Sequence, residues 1–511
     1  HLGLEPAHAG ACERLGELIA ELGRPGEAAA IESVRARAGM RLDAGRPDDA
    51  PNRRPLHWPI AFPEVFTGEG AGFDAMVGNP PFIGGQKITG AAGTDYRNHL
   101  IAWVADGAKG SADLVAYFFL DATKIARSFG FLATNTIAQG DTSEVGLTQI
   151  IDGGWTIDRA VSSTTWPGDA TLEIAKVWAT SQQWNGERVL DGRQVVGIDE
   201  MLYPQSRSGW RKQRLAANAH KSFIGSYVLG MGFTMSPEEA QALIDKDPRN
   251  ADVLFPYLGG EDLNQSPTHT APRWIINFFD WPEERARQYP DCFAIVEEKV
   301  KPERQRRKPN GDYVLRKPLP ERWWHYAEKR PALYRTIGPL SRHLAQCQVT
   351  RAPYPVFIRS GHVIGHTANV FAFDDYFHLG VLSSGFHYRW AMRFSSSMRT
   401  DTRYTPSDVF ETFPRPPNSP AVSQVAGELY NNRSRLMRGR SIGITRLYGQ
   451  FNDDSVRGDG EIESLRGVHV ELDLAIRDAY DALSQTSEPF ARRIMDGALQ
   501  ETVGGRTLED L

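Results

Sequence analysis

Cysteine is scarce in this chain of 511 residues, which contains only Cys12, Cys292 and Cys347. None of the three stands in a Cys-x-x-Cys pair, so the sequence favours neither a zinc ribbon nor a disulfide framework, and it fits a protein of the reducing cytoplasm. Hydrophobic residues make up 41% of the chain. They form no run of about eighteen, so no membrane-spanning helix is predicted.

Several catalytic signatures are missing as well. Neither a Gly-x-Ser-x-Gly elbow nor a Walker phosphate loop occurs. His362 and His366 form the one close histidine pair, but Gly361 and Gly365 disfavour a helix there, and we predict no metal site. No acidic cluster ending in Glu-x-Lys lies on a predicted strand, so DNA cleavage is not predicted.

Charge is spread unevenly along the chain. The net charge is −5, yet residues 201–360 carry 25 Lys plus Arg against 17 Asp plus Glu, a balance of +8 that leaves −13 for the remainder. The chain is long enough for two or three domains, and its 48 glycines and 32 prolines favour many turns. The middle of the chain is therefore the part predicted to face DNA.

The chemistry of the chain is predicted to centre on Asn79-Pro80-Pro81-Phe82. These residues follow a predicted short buried strand, Phe73 to Val77, which Gly78 ends. Two consecutive prolines fix φ and withhold backbone donors, so the segment is held extended just past the strand end. Open α/β sheets bind their ligands at that end of their strands.

This segment has the groups needed to hold an exocyclic amine. The side-chain oxygen of Asn79 and the carbonyl oxygen of Pro80 can accept both hydrogens of an aryl NH2 group, while Phe82 stacks on the ring. Such an arrangement directs the nitrogen lone pair towards an electrophilic methyl group, and the base must first leave the duplex stack. The alternative is a proline-rich turn between a strand and a loop, and four residues alone do not decide between the two.

Residues 79 to 82 match Asn/Asp-Pro-Pro-Phe/Tyr/Trp, motif IV of the amino-group DNA methyltransferases that make N6-methyladenine. Together with the preceding segment His57 to Phe66, the sequence resembles the large type IIG and phage-defence members of that family. The resemblance implies an α/β fold with a Rossmann-like methyltransferase core, S-adenosylmethionine as cofactor and double-stranded DNA as partner. It also implies that Trp166 borders the flipped base; a structural tryptophan at a strand end is the alternative.

The glycine-rich loop that binds S-adenosylmethionine in this family is not found. Gly68 to Gly72 has the glycines but directly precedes the predicted catalytic strand, so we interpret it as a plain loop. The chain begins with His1, and the family order places the cofactor loop before the Asn-Pro-Pro motif. We therefore expect the core to lack its first strands and an upstream segment or a partner subunit to supply the loop, and cofactor-binding residues stay unassigned.

Downstream of the motif, the pattern predicts a long loop over the site at residues 83–110, then a helix from Ser111 to about Phe129. Gly130 is predicted to end that helix, and a buried strand is predicted over residues 131–137. Strand, helix and strand in this order predict a parallel crossover. After a further strand at residues 172–179, Asn185-Gly186 predicts a tight hairpin turn.

A run of cations lies in the positively charged middle region. Its members are predicted to grip DNA phosphates: Lys299, Lys301, Arg304, Arg306, Arg307 and Lys308. The alternative is a solvated helix face, the commoner meaning of such a run, and the base-modifying motif elsewhere in the chain is what favours DNA. Phosphate contacts carry no sequence information, so no recognition sequence is predicted.

The composition divides the chain into four predicted parts: a helical N-terminal segment (1–50), a partial methyltransferase catalytic domain (51–200), a mixed α+β DNA target-recognition domain (201–415) and a helical C-terminal region (416–511). The predicted function is transfer of a methyl group from S-adenosylmethionine to adenine N6 in a restriction-modification or phage-defence system. Two alternatives stay open. One is a DNA-recognition and base-flipping chain without methyl transfer of its own; the other is methylation of a glutamine in a protein substrate.

Overall fold

The computed structural model describes residues 56–67, 70–108, 111–167, 172–205, 213–398, 401–456 and 458–484, together with Glu32, Ala36, Gly39, Met40 and Asp43. The predicted helical segment 1–50 otherwise lies outside the described residues. The chain divides into two compact units, His1–Gly209 and Trp210–Leu511. Each unit is described by itself.

Strands of the N-terminal unit form a six-stranded sheet among its described residues, in the order β1-β2-β4-β3-β5-β6. The strands are β1 Met76–Gly78, β2 Ser128–Thr134, β3 Thr156–Thr165, β4 Glu173–Thr180, β5 Arg188–Leu190 and β6 Arg193–Val195. β1 and β2 run parallel, whereas β4 is antiparallel to both β2 and β3. The predicted α/β class and the predicted parallel crossover are confirmed.

The helices of this unit pack on the sheet. They are α1 Trp58–Ala61, α2 Gly85–Ala92, α3 Thr94–His99, α4 Leu114–Ile125, α5 Gly140–Ser143 and α6 Gln149–Asp152, with π-helical turns at Leu100–Val104 and Glu144–Thr148. α4 is the crossover between β1 and β2. Its Phe119 ring lies 5.3 Å from the rings of both Phe129 and Phe131, which fixes the helix on the strand that follows it.

The prediction of a long loop at residues 83–110 is wrong, since α2, α3 and a π-helical turn occupy most of it. Ile88, Leu100 and Val104 are buried in the core of the unit. Gly85, which suggested a loop, instead permits close packing, because a Cβ there would lie 2.1 Å from the carbonyl oxygen of Ser111. Few apolar residues mark these helices, so the pattern did not reveal them.

Other boundaries also differ from the predictions. Gly130 lies inside β2 rather than ending a helix. A Cβ at this position would lie 2.7 Å from Cδ1 of Trp178 on the neighbouring strand, so close packing of that ring requires a glycine here. The predicted hairpin at Asn185-Gly186 is wrong: β5 pairs with β3 rather than with β4, and the turn that joins β5 to β6 is Asp191-Gly192. Both residues of that turn have positive φ, 50° and 77°, which a tight hairpin turn requires.

The C-terminal unit contains three smaller sheets among its described residues, ordered β14-β9-β10-β8, β13-β11-β15-β7 and β12-β17-β16. Their strands are β7 Ser222–Ile224, β8 Thr234–Met235, β9 Leu254–Leu258, β10 Arg273–Ile276, β11 Arg342–Cys347, β12 Val349–Thr350, β13 Val356–Arg359, β14 Val363–Ile364, β15 Ala368–Phe371, β16 Ser396–Met398 and β17 Asp401–Arg403. Mixed sheets of this kind agree with the predicted mixed architecture after the core.

Helices surround these sheets and form the end of the unit. They are α7 Pro237–Lys246, α8 Gly260–Gln265, α9 Glu283–Ala286, α10 Pro290–Lys299, α11 Lys301–Arg304, α12 Pro331–Ile337, α13 Tyr376–Ser383, α14 Gly385–Phe394, α15 Pro420–Arg440, α16 Ile444–Phe451 and α17 Gly460–Ser484. The Ser419 hydroxyl caps the start of α15 by accepting a hydrogen bond from the Val422 N–H. The apolar side of this helix faces the core, with Val422, Ala426 and Leu429 buried. Within the part of the chain that the structure describes, every helix is too short or too polar to span a membrane.

Candidate functional site

The Asn-Pro-Pro-Phe segment begins directly after β1, at its carboxyl end. Asn79 and Pro81 are exposed, Pro80 is buried and Phe82 is half-buried. Among the described residues, neither the Asn79 side chain nor the Pro80 carbonyl has a hydrogen-bond partner. Pro80 is buried, and buried backbone carbonyls are nearly always paired, so its unpaired carbonyl is unusual. This oxygen and the side-chain oxygen of Asn79 can both accept hydrogen bonds from a ligand.

β1 itself departs from the sequence prediction. The strand covers Met76–Gly78 rather than Phe73 to Val77, and the Val77 side chain is 84% exposed. β1 is the first strand of the sheet, and its other edge is unpaired among the described residues. The prediction of a buried strand fails at Val77, because its side chain projects from a face of the sheet that the described residues leave uncovered at this position.

Asp113 holds the loop that carries the motif. Its Oδ1 accepts a hydrogen bond from the backbone N–H of Gly85 at 3.1 Å, and its Oδ2 accepts one from the Thr136 hydroxyl at 2.7 Å. The N–H of Leu114 donates to the Ile83 carbonyl at 2.8 Å. The loop is thus fixed to the start of α4 and to the end of β2. Sequence analysis missed Asp113; an acidic residue just before the first helical turn was the available signal.

An aromatic cluster holds the other end of β1. The Phe73 ring lies 5.5 Å from that of Trp58, 5.7 Å from that of Phe62 and 5.4 Å from that of Phe66, in edge-to-face contacts. Phe73 also donates its N–H to the Ile125 carbonyl at 2.8 Å. The segment from His57 to Phe66 thereby anchors the strand from which Asn79 projects, which limits the movement of the motif.

Trp166 lies at the same end of the sheet as Asn79, where β1 and β3 finish. Gly78 pairs with Phe131 across β1 and β2, and the start of β4 at Glu173 pairs with Thr165 at the end of β3. Trp166 follows β3, is half-buried and donates its N–H to the Leu172 carbonyl at 2.8 Å. With β2 and β4 between them, β1 and β3 lie about 14 Å apart across the sheet, three interstrand spacings. Its role beside a flipped base stays a prediction.

The described part of the glycine-rich segment lies at the opposite end of β1. Gly72 donates its N–H to the Val65 carbonyl at 2.9 Å, and Arg127 donates to the Gly70 carbonyl and to Asp74. Among the described residues, no strand joined to a helix by a glycine-rich loop precedes β1. The residues that the structure describes do not make up a recognisable S-adenosylmethionine site, so we assign no cofactor-binding residue.

The cationic segment of the C-terminal unit spans α10 and α11 and the turn after them. Lys299, Arg306 and Lys308 are exposed and have no ion-pair partner among the described residues. Arg307 is also exposed, but its guanidinium donates to the Gly311 carbonyl at 2.8 Å and to the Tyr313 hydroxyl at 3.0 Å. Lys299, Arg306 and Lys308 are therefore available to a polyanion, and Arg307 can reach one from its exposed side.

Two members of the segment are already engaged. Lys301 pairs with Glu297 at 2.7 Å. Arg304 is 1% exposed, and its guanidinium donates to the backbone carbonyls of His325, Val228 and Leu229. The DNA-contact prediction is therefore narrowed to exclude Arg304, because a side chain buried in this way cannot reach a phosphate.

Comparison with known protein families agrees with this geometry. Residues 39–148 match the family model of the Eco57I restriction-modification methylase, and residues 211–417 match the model of the MmeI target recognition domain. The chain thus contains a segment similar to a restriction-modification methylase, followed by a segment similar to the MmeI target recognition domain. The resemblance to large restriction-modification methyltransferases is confirmed, and the motif at residues 79 to 82 lies inside the methylase segment.

A solved structure with a similar fold comes from a restriction-modification enzyme. The type IIL restriction-modification enzyme MmeI in complex with DNA aligns with a TM-score of 0.60 and 16% identity, over 84% of this chain and 57% of that chain. The chain thus spans a little over half the length of that enzyme. The type IIG restriction endonuclease BpuSI aligns with a TM-score of 0.26 and 12% identity over 81% of this chain and 55% of that one. The DrdV–DNA complex aligns with a TM-score of 0.32 and 9% identity over 71% and 44%.

The MmeI alignment supports the shared α/β fold, whereas the two family matches support a DNA methyltransferase-like chain with a target-recognition domain. A search of curated protein sequences gave no match.

Proposed function

We propose that this chain takes part in methylation of adenine N6 in double-stranded DNA, with S-adenosylmethionine as the methyl donor, within a restriction-modification or phage-defence system. The observation that carries the proposal is the pair of oxygens on Asn79 and Pro80 at the carboxyl end of β1, which have no hydrogen-bond partner among the described residues. They stand in the segment that matches a methylase family. Phe82 beside them is half-buried, which leaves part of its ring accessible to a base.

The residues of this chain act on the amine that receives the methyl group. Asn79 Oδ1 and the Pro80 carbonyl oxygen accept its two hydrogens, which directs the nitrogen lone pair away from them. Phe82 stacks on the unstacked adenine, and Trp166 flanks it. Pro81 fixes the backbone between these groups, and the anchors at Asp113 and Phe73 hold the segment in place. Positioning of this kind supplies catalysis without a covalent intermediate.

The methyl donor has to be held by groups other than those assigned here. We propose that an upstream segment or a partner subunit supplies the glycine-rich cofactor loop. Among the described residues one edge of β1 is unpaired, which supports this proposal because a further strand can pair there. The exposed cations Lys299, Arg306, Arg307 and Lys308 then contact DNA phosphates.

Substitution of Asn79 by alanine tests the catalytic assignment. We expect Asn79→Ala to lower methyl transfer by about 100-fold or more, a loss typical when one preorganised polar group is removed from an active site. Binding of duplex DNA is expected to persist. Asn98→Ala, which removes an exposed amide of α3 in the same unit, is the matched control. Equal methylation by the Asn79→Ala variant and the unaltered protein, each assayed with the segment or subunit that supplies the cofactor loop, would remove the assignment.

A second candidate function is DNA recognition and base flipping without methyl transfer. The observation in its favour is that the described residues include no recognisable cofactor loop. A methylation assay with the upstream segment or partner subunit present separates the two functions, since only the first transfers a methyl group. Methyl transfer that Asn79→Ala abolishes supports the first function. Duplex binding that weakens with salt, without methyl transfer, supports the second.

A further inference from the structure

A cavity of about 520 Å³ opens in the C-terminal unit, within the segment that matches the target-recognition model. Its walls include Phe255 of β9, Asn277 and Phe279 just after β10, and Arg335 of α12. Volumes of about 300–1,000 Å³ are typical of sites that hold small molecules. Neither the Asn-Pro-Pro-Phe segment nor the cationic segment lines it, so the cavity has no role in the function proposed above.

Asn277 presents a buried amide to this cavity. The residue is 8% exposed, and its Oδ1 accepts a hydrogen bond from the Phe279 N–H at 2.9 Å. Its Nδ2 has no acceptor within the described residues. This nitrogen is not enclosed by protein atoms, so it can donate into the cavity. The Oδ1 contact fixes the orientation of the amide, and the remaining donor matches an acceptor atom of a ligand.

Two aromatic rings form one wall of the cavity. The Phe255 and Phe279 ring centroids lie 5.7 Å apart with an interplanar angle of 82°. Phe279 is 38% exposed and has a φ of +51°, which is rare for a bulky side chain. An accessible aromatic face of this kind stacks well on a flat heterocycle, and base stacking on aromatic side chains is a common means of holding unpaired nucleotides.

The charge of the cavity is positive. Arg335 is exposed and has neither an ion pair nor a hydrogen bond to any described residue. Lys329 is neutralised by Asp280, with Nζ and Oδ1 2.5 Å apart. Burial lowers the pKa of His362, whose Nδ1 lies 2.9 Å from the Arg359 carbonyl, so this imidazole is neutral at pH 7. The guanidinium of Arg335 is thus the group available to an anion, and a guanidinium matches phosphate in geometry.

We propose that this cavity binds one nucleotide, with its base against Phe279, a base-edge acceptor on Asn277 Nδ2 and its phosphate on Arg335. A nucleotide combines the planar ring, the acceptor and the anion that the three residues match. Two sources can supply it: an unstacked nucleotide of bound DNA, or a free nucleoside monophosphate. The DNA source rests on the proposed function, whereas the free source does not.

Calorimetric titration of the full chain with the four deoxynucleoside monophosphates, and with the matching nucleosides, tests the free source. Arg335→Ala is expected to weaken nucleotide binding about tenfold or more and to leave nucleoside binding unchanged, because only the phosphate contacts the guanidinium. Phe279→Ala is expected to weaken both. Arg446→Ala removes an exposed arginine outside the cavity and is the matched control. Thermal melting checks that each variant is folded.

Short DNA duplexes with 2-aminopurine at successive positions test the DNA source, since the fluorescence of this base changes when it unstacks. We expect a change at one position that Arg335→Ala and Phe279→Ala both abolish, while fluorescence anisotropy shows that the duplex still binds. The proposal is refuted if nucleotides and 2-aminopurine duplexes give no response that depends on these two residues. Failure of the unaltered chain to bind any duplex would instead overturn the proposed function, and the free-nucleotide titration would still decide the cavity.

Discussion

Replacement of Arg304 by alanine is expected to destabilise the C-terminal unit strongly. Its guanidinium is 1% exposed and donates from Nη1 to the His325 carbonyl at 2.7 Å. From Nη2 it donates to the carbonyls of Val228 at 2.6 Å and Leu229 at 2.9 Å. Alanine removes all of these donors at once and leaves three carbonyls in a space that water does not readily reach.

The magnitude follows from the number and kind of bonds lost. Hydrogen bonds to a charged group contribute about 1.5–3 kcal/mol each, and losses at one site are not additive. Burial lowers the pKa of Arg304 to about 10, so the group stays charged at pH 7. We expect the free energy of unfolding to fall by roughly 3–5 kcal/mol, because each buried carbonyl left without a donor costs about 1–3 kcal/mol and the three losses are not fully additive. Urea unfolding followed by circular dichroism measures this change.

Arg306 provides a matched control two residues away. It is exposed and unpaired among the described residues, so Arg306→Ala is expected to alter the free energy of unfolding by less than about 0.5 kcal/mol. If Arg306 contacts a phosphate, its removal lowers the slope of log K against log salt by about 0.9. Anisotropy titrations of a labelled duplex at several salt concentrations measure that slope.

The two variants separate structural from DNA-contacting cations. An Arg304→Ala protein within about 1 kcal/mol of the unaltered chain would show that other groups or water replace the three bonds, and the reasoning from burial would be refuted. An unchanged salt slope for Arg306→Ala would remove Arg306 from the proposed DNA contact.

Gly130→Ala should lower the free energy of unfolding by roughly 1–3 kcal/mol, because the new Cβ would lie 2.7 Å from Trp178. Gly90→Ala in α2, with nothing within 4 Å of the new Cβ, should raise it by about 0.5–1 kcal/mol, and thermal melting compares the two variants. Burial raises the pKa of Asp473 from 3.8 to about 6, although its carboxylate accepts the Gly385 N–H. The resulting stabilisation, about 3 kcal/mol, is fully present below pH 3.8 and lost as the pH rises through 6. Asp473→Asn should remove this loss, and parallel profiles of unfolding free energy against pH for the two proteins would contradict the assignment.

The position of the Asn-Pro-Pro-Phe segment could be predicted without a structure, because it depends on local chemistry. Gly78 and the two prolines of residues 79 to 82 act on their own backbone, so the position of the motif just past a strand could be predicted from a few residues. The order of strand, helix and strand predicted the parallel pairing of β1 and β2 for a similar reason, because a crossover of that length permits few alternatives.

Features that depend on partners distant in the chain could not be predicted from the sequence. Gly130 was predicted to end a helix, but it lies in β2, where Trp178 of β4 occupies the space that a side chain would need. That reason for a glycine comes from a residue remote in the chain. Asp113 was overlooked because its partners Gly85 and Thr136 are far from it along the chain.

By itself the sequence determined the position of the Asn-Pro-Pro-Phe motif, the resemblance to restriction-modification methyltransferases and the region in which cations are concentrated. Only the tertiary structure decided which of those cations are available. Arg304 and Arg306 are the same residue type two positions apart, yet one is enclosed by backbone carbonyls and the other is exposed. The physical reason is that burial is set by the segments that pack around a side chain, and those segments are contributed by residues remote in the chain.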